Sequence, residues 1–361
     1  MKKLFTILAV AATLVSCAKE DVVREAAREA IGFDNAFVEN STRSVNDPSF
    51  DADIMFSDFA VFGFVEGATL FDGAQNADYT RVAKANLAAD QTKTGWEYAG
   101  TQYWIAGANY DFYAVAPYTG DWAVKADTTP ASTGAVITFT NEDGTQDLLY
   151  SGIVAQEGKV SGNANVGFTF KHILSKVKFS FENGYNASNA TIKVKDVVIT
   201  DAYSTANVNL NDTTVDWTDH NGTITNGIAF GAATDDESTA AKESADVAYA
   251  CNKTYESYYE RFLIPSDSRA YNVSFVVELY INDTLIDVNS ADDKYGYEHT
   301  ATITFAPEAG HAYDIKAVIN AKNIDPNHAQ EPIEFTVTSI DGWGTTNNEE
   351  ADGDYDPTPQ Q

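Results

Sequence analysis

Histidine and cysteine, which commonly do chemistry in proteins, are few and scattered in this chain. Its 361 residues contain neither HExxH nor GxSxG, and they lack a Walker A sequence and a CxxC pair. The chain has five histidines, and their spacing is not that of metal ligands: His172, His220, His299, His311 and His328. The parity of His172 with Phe168 and Phe170 indicates a core histidine with a satisfied ring. The sequence therefore predicts no catalytic residue, no metal site and no cofactor.

Carboxylates are abundant, with 53 Asp and Glu against 23 Lys and Arg and a formal net charge of −30. A pair chosen from so many carries no information about acid–base chemistry. Asp352, Asp354 and Asp356 have the oxygen ligands that Ca²⁺ prefers, but the EF-hand spacing and its glutamate are missing. A solvated acidic tail is the better interpretation. The charge argues against binding to nucleic acid or directly to an anionic membrane surface.

The N-terminus has the layout of a secretory signal. Lys2 and Lys3 precede a twelve-residue apolar run, too short to span a bilayer comfortably. The run ends in Leu-Val-Ser-Cys, which resembles a bacterial lipobox, in which the cysteine is acylated. We predict a signal peptide over residues 1–16 and lipid on Cys17 as the sole membrane attachment. A plain signal peptide with a chance cysteine is the alternative. With Cys17 acylated, Cys251 has no disulfide partner.

Short runs rich in Tyr, Phe, Val, Ile and Thr follow Ser44, separated by clusters of turn residues. This pattern predicts an all-β sandwich or barrel. The predicted strands are 59–65, 110–117, 135–140, 147–151, 166–170, 177–181, 192–200, 258–265, 271–281, 301–305, 312–319 and 333–340. Polar composition predicts surface loops over residues 211–227 and 231–247 and a disordered tail over 346–361.

Two segments alternate as strands with one buried face. The apolar side chains are Ile31, Phe33 and Phe37 in the first segment and Ile333, Phe335 and Val337 in the second. The first segment is followed by a polar loop in which Arg43 offers a cleavage site to a trypsin-like protease. Because the two segments have similar length and apolar content, one could replace the other.

Several segments together resemble the fimbrillin family, which comprises the pilin subunits of type V pili and related surface lipoproteins. They are Tyr103–Trp104 with Tyr110–Pro117, Gln146–Tyr150, Phe168–Val177 and Gly310–Tyr313, together with the lipobox and the Thr42–Arg43 loop. The resemblance implies two tandem transthyretin-like β-sandwich domains, which we place at residues 44–168 and 169–345. A lipidated pro-segment with a removable first strand precedes them at residues 17–43.

The resemblance also implies an assembly mechanism for a structural subunit of a fimbria that contributes to adhesion. The precursor reaches the cell surface as an outer-membrane lipoprotein, and an arginine-specific protease cuts between Arg43 and Ser44. The first strand leaves, and a C-terminal strand from another pilin subunit fills the groove. Cuts at Arg24 or Arg28 would leave the strand attached. No enzymatic activity is expected.

The same residues allow other interpretations. Residues 31–38 can be an ordinary first strand, and Arg43 an uncut loop residue. The chain can instead be a surface lipoprotein that binds glycans or host ligands and never polymerises, or a lipid-retaining anchor or tip subunit of the fimbria. A surface hydrolase is disfavoured because no credible site exists.

Overall fold

The computed structural model describes residues 29–38, 58–73, 81–84, 96–118, 120–185, 189–212, 214–230, 249–251, 256–257, 260–286, 297–324 and 331–340. Every element in these ranges is a β-strand except one helical turn, α1 (Ala321–Ile324), so the predicted all-β class is confirmed. Within the same ranges, no helix has the length and apolar character needed to cross a membrane.

The largest sheet has nine strands, all from the N-terminal half of the chain. They are β1 (Phe33–Val38), β2 (Asp58–Val65), β3 (Ala68–Asp72), β4 (Arg81–Lys84), β5 (Trp96–Tyr98), β6 (Asn109–Ala116), β9 (Leu149–Tyr150), β10 (Val154–Glu157) and β11 (Val166–His172). Their order is β1-β11-β9-β6-β2-β4-β5, with β10 on β6 and β3 on β2. The sheet curls because the chain just before β1 pairs with residues 102–104, which follow β5. The result is a barrel-like enclosure.

A second sheet covers the outer face of this barrel. Its strands are β7 (Trp122–Val124), β8 (Ala135–Thr140), β14 (Tyr203–Leu210) and β15 (Val215–Thr223), in the order β15-β14-β8-β7. Successive side chains of a strand point to opposite faces. In β2, Phe59 and Val61 therefore lie inside the barrel, whereas Ala60 and Phe62 belong to the core shared with the second sheet. Both faces of β2 are buried.

Two further sheets enclose a third core. The first contains β12 (Ser175–Asn183), β18 (Glu256–Ser257), β19 (Arg261–Leu263), β23 (Ala312–Ile319) and β24 (Phe335–Ile340). The other contains β13 (Ala190–Ile199), β16 (Ile228–Phe230), β17 (Tyr249–Cys251), β20 (Arg269–Ile281), β21 (Thr284–Leu285) and β22 (Tyr297–Phe305). In the first sheet the order is β18-β12-β23-β24, so β24 lies at an end. The two sheets form a sandwich around Phe179, Phe181 and Phe275.

The prediction of a surface loop over residues 211–227 is wrong for β15, which occupies residues 215–223. The side chains of Asp216, Asp219, Asn221 and Thr223 are exposed, which explains the polar composition of this strand. Val215 and Trp217 are the apolar residues of this strand, and both pack against the core; Trp217 also donates its Nε1–H to the Ile173 carbonyl at 2.9 Å. The second predicted loop, at residues 231–247, lies outside the described residues.

The β14–β15 hairpin belongs by its pairing to the N-terminal half, although it comes from later in the chain. In the antiparallel ladder of β14 with β8, Ala206 lies opposite Phe139 and Leu210 opposite Ala135. The proposed division of the chain near residue 168 stays a prediction.

Gly134 allows the chain to turn into β8 against the end of β14. Its φ is 135°, and a Cβ would overlap the carbonyl oxygen of Leu210. We expect Gly134→Ala to lower the free energy of unfolding by about 2–3 kcal/mol, measured by urea denaturation. Gly107→Ala is the control, because Gly107 has a φ of 77° but no atom within 4 Å of the point where an added methyl group would lie. It should cost about 1 kcal/mol. Equal losses would argue against the steric role of Gly134.

Candidate functional site

The strand predicted to be removable closes the barrel. Residues 29–38, called the closing segment below, lie between β11 on one side and residues 102–104 on the other. β1 runs parallel to β11. Outside the β1 ladder, the backbone hydrogen bonds are Val166 N to Gly32 O at 2.8 Å, Trp104 N to Glu29 O at 3.0 Å, and Ile31 N to Gln102 O at 2.9 Å. Because both edges of the segment are bonded, its removal would leave two open sheet edges.

The side chains of Ile31 and Phe33 fill the interior of the barrel. They are 1% and 2% exposed. The Phe33 ring contacts four aromatic rings, with centroids 5.4–6.2 Å away: Phe71, Tyr98, Phe112 and Phe168. The Tyr98 hydroxyl also donates to the Ile31 carbonyl at 2.8 Å. Burial of two such side chains contributes roughly 3–6 kcal/mol. The closing segment therefore fills the interior of the barrel with its side chains and completes the sheet with its backbone.

The start of the closing segment is held through the Glu29 carboxylate. The backbone N–H and the side-chain amide of Asn163 both donate to one Glu29 oxygen, at 2.9 and 2.7 Å. These bonds lower the pKa of Glu29, the backbone bond most strongly. Asn163 in turn accepts from the Lys159 N–H at 2.7 Å, which shapes its loop. These hydrogen bonds between Glu29 and Asn163, called the Glu29 clamp below, tie the loop between β10 and β11 to the start of the closing segment.

The predicted role of Phe37 concerns a side chain that lies outside the described part of the structure. Its backbone is in β1, opposite Thr169, and Val38 lies opposite Phe170. A register shift between Asp34 and Phe37 interrupts the alternation that groups Phe37 with Phe33. The assignment of Phe37 to the groove-filling face stays a prediction.

The candidate donor strand is part of the chain's own C-terminal sandwich. Residues 331–340, called the C-terminal segment below, end in β24, which pairs antiparallel with β23. Ile333 is 5% exposed, whereas Phe335 and Val337 are half-buried. Phe335 contacts the rings of Phe179, Phe181 and Phe275 at centroid distances of 6.0, 6.0 and 5.6 Å. Since β24 ends its sheet, the C-terminal segment is bonded in a ladder along one edge.

Glu331 and Pro332 fasten the start of the C-terminal segment to α1. The Asn323 amide donates to both of their carbonyls, at 3.0 and 3.2 Å. The Glu331 carboxylate lies 2.6 Å from Lys322 Nζ, and both side chains are more than half exposed. An ion pair so open to water is screened and contributes little.

The remaining predicted site residues lie elsewhere. Cys17, Arg43 and Ser44 are outside the described residues. His172 is a core histidine with a satisfied ring, as predicted, because its Nδ1 lies 2.6 Å from Asp147 Oδ2 and its side chain is 7% exposed. Within the described ranges, no group of three or more His, Cys, Asp or Glu side chains is placed to hold a metal ion.

The residues that contact the start of the closing segment, 102–104 and Asn163, were not predicted from the sequence. Tyr103 and Trp104 carry the signal of a family-like segment, but that signal predicts no role for them in the site. Asn163 has no such signal, because an asparagine in a polar loop is common wherever chains turn. Most of the aromatic residues of the family-like segments are buried, including Trp104 and Tyr110. Tyr103 is 45% exposed.

Comparison with known proteins identifies the class to which the chain belongs. The model of the fimbrillin-like family matches residues 42–343. No curated protein matches the chain. A solved fimbrial protein from Bacteroides vulgatus has 14% identity and a TM-score of 0.50, over 87% of this chain and 99% of that one. A candidate cell adhesion protein from Bacteroides uniformis has 16% identity and a TM-score of 0.42, over 88% and 98%.

The chain belongs to the fimbrillin-like family, because the family model spans most of its length. Membership makes it a fimbrial or adhesion protein of the cell surface. It also points to a structural rather than an enzymatic protein, and to other pilin subunits as partners. The solved fimbrial protein from Bacteroides vulgatus supports the fold.

Phe33 and Phe335 should contribute unequally to the stability of the fold. Phe33→Ala should lower the free energy of unfolding by about 3–5 kcal/mol, because it empties an enclosed aromatic cage. Phe335→Ala should cost about 1–2 kcal/mol, because part of that ring is already in water. Urea denaturation of the chain lacking residues 1–17 measures both. A loss for Phe335→Ala as large as that for Phe33→Ala would contradict the asymmetry.

The Glu29 clamp should weaken in acid. Because the pKa of Glu29 is lowered in the folded chain, its contribution is complete above the ordinary glutamate value of about 4.3 and is lost as the pH falls through the lowered value. The side-chain amide signals of Asn163 in NMR spectra should follow this titration. Glu29→Gln should abolish the response. A midpoint at or above the ordinary value would be inconsistent with the clamp.

Proposed function

We propose that this chain is a structural subunit of a cell-surface fimbria that assembles by donor-strand exchange. The observation that carries the proposal is the double-edged bonding of the closing segment, whose apolar side chains plug the barrel. Most of its polar contacts use backbone groups, so a different segment of suitable pattern can make them. Addition of an extended segment to open sheet edges is a general mode of recognition. Membership of the fimbrillin-like family supports this function.

Proteolysis between Arg43 and Ser44 is the proposed trigger. It frees the closing segment from the chain that follows. Loss of Ile31 and Phe33 would remove roughly 3–6 kcal/mol of burial, against a total stability of about 5–15 kcal/mol for a typical domain. The cut subunit would also have two unpaired edges. It is therefore metastable until a replacement strand arrives, whereas the uncut subunit is complete and stays monomeric.

The C-terminal segment of a neighbouring subunit is the proposed replacement. In its own sandwich it has a ladder on one edge, and Phe335 and Val337 are half-buried. In the barrel it would be bonded on both edges and enclosed. Exchange therefore runs from the less to the more complete set of contacts. Lipid on Cys17 would hold the precursor at the outer-membrane surface until an arginine-specific protease acts.

A reversible disulfide tests whether the closing segment controls assembly. Ala30 and Tyr103 form an isolated antiparallel bridge, flanked by the bonds of Ile31 to Gln102 and of Trp104 to Glu29. Such a non-hydrogen-bonded pair has its Cα atoms about 4.5 Å apart, which suits a disulfide. The protein for the test is Ala30→Cys, Tyr103→Cys and Cys251→Ser in the chain lacking residues 1–17.

After cleavage by an arginine-specific protease, the reduced protein should form filaments and SDS-resistant ladders, whereas the oxidised protein should stay monomeric. Addition of reductant should restore assembly. The single variant Ala30→Cys should assemble in both states, and Arg43→Ala should block the cut. If the reduced, cut protein stays monomeric at high concentration, strand exchange is wrong. If the oxidised protein assembles equally well, the closing segment does not control assembly.

A further inference from the structure

The closing segment and the C-terminal segment begin with the same pattern of side chains. Residues 29–33 read Glu-Ala-Ile-Gly-Phe, and residues 331–335 read Glu-Pro-Ile-Glu-Phe. The glutamate, the isoleucine and the phenylalanine coincide without a gap. In the barrel each of these three positions has a specific environment: Asn163 for the glutamate, the apolar interior for the isoleucine and the aromatic cage for the phenylalanine.

We propose that residues 331–335 of a neighbouring subunit take the places of residues 29–33 in this register, with Glu331 clamped by Asn163. The inference rests on the proposed strand exchange and adds its register and the residue that fixes it. Ile333 then occupies the position of Ile31, and Phe335 enters the cage of Phe33. The partner is a second copy of this chain, recognised by an acidic residue two positions before a buried isoleucine.

The position of Ala30 accepts the proline of the incoming segment. Proline has no N–H to donate and favours an extended residue before it. Among the described residues, no hydrogen bond is made by the Ala30 N–H. Pro332 therefore loses no bond there, and Glu331 takes the extended backbone that a strand requires.

The position of Gly32 accepts a larger side chain only after a small movement. A Cβ at Gly32 would overlap the side-chain oxygen of Asn165. That oxygen is the far end of a flexible side chain, so it can turn away. Glu334 is exposed in its own sandwich, and this position lets its carboxylate remain near the surface.

Other registers are worse for identifiable reasons. A shift of one residue would reverse the faces of the strand and expose Ile333 and Phe335. A shift of two that brings Ile333 into the cage of Phe33 would place Glu331 at the buried position of Ile31. Burial of an unpaired carboxylate is strongly unfavourable. The register with Glu331 on Asn163 avoids both penalties.

Glu331 can leave its resting partner easily. Its ion pair with Lys322 is open to solvent on both sides, with 59% and 56% of the side chains exposed. At Asn163 the carboxylate would accept two N–H donors, as Glu29 does, and hydrogen bonds to a charged acceptor are stronger than neutral ones. The Glu331 carboxylate thus has a weak partner before exchange and a better one after it.

Disulfide mapping in the assembled filament tests the register. Tyr103 lies opposite Ala30, so Tyr103→Cys combined with Pro332→Cys, in the Cys251→Ser chain lacking residues 1–17, should link neighbouring subunits after cleavage and mild oxidation. Boiled, non-reducing gels should show covalent ladders that reductant removes. Tyr103→Cys with Glu334→Cys is the matched control, displaced by two residues or about 6.6 Å, and should give no ladder.

The outcomes separate the inference from the function on which it rests. Filaments that link through position 334, or through neither position, would overturn the register and leave strand exchange standing. Absence of filaments from the reduced, cut proteins and from the Cys251→Ser parent would overturn both.

A second pair of variants tests Glu331 itself. Glu331→Gln should slow assembly about three- to ten-fold, because the clamp loses its charge. Glu334→Gln, which removes the same charge three residues away, should assemble at the unaltered rate. If Glu331 acted only through Lys322, its neutralisation would loosen the resting segment and speed assembly. A faster or unchanged rate for Glu331→Gln would therefore refute the clamp.

Discussion

Enclosure of the Phe33 ring is the constraint on which the N-terminal half depends. Four aromatic rings from separate strands converge on it, so its presence fixes the spacing of strands that do not pair with one another. The segment that carries Phe33 also supplies the hydrogen bonds that join β11 to residues 102–104. Core packing and barrel closure are therefore one event, and the fold cannot lose one while keeping the other.

The two ends of the described chain bury similar apolar side chains, but in unequal surroundings. Each end places an isoleucine and a phenylalanine in an aromatic core, but only the first is enclosed on both edges. In the proposed strand exchange, this inequality would give the direction without any external source of energy. The uncut chain occupies both sites at once, so in the proposed mechanism proteolysis rather than folding would start the exchange.

Alternation predicts the long, half-buried strands well, and it fails where little alternation exists. β8 and β23 coincide with their predictions, at residues 135–140 and 312–319. Strands of three or four residues, such as β5 and β7, are too short to show a period. Alternation does not predict β15, because exposed Asp, Asn and Thr side chains give that strand a polar sequence. Asn163 could not be found, since its importance comes from Glu29, distant in sequence and brought close only by barrel closure.

The excursion of β14 and β15 has a mechanical consequence. The chain passes from the barrel to the C-terminal sandwich after β11, returns for β14 and β15, and leaves again for β16. Six consecutive residue pairs join β14 to β8. The two halves of the subunit are joined by the backbone ladder between β14 and β8, and not only by the chain that connects them. A force applied to the two ends of the subunit therefore cannot separate the halves by extending one linker. In the proposed fibre, tension would be carried through each subunit by sheet hydrogen bonds loaded together.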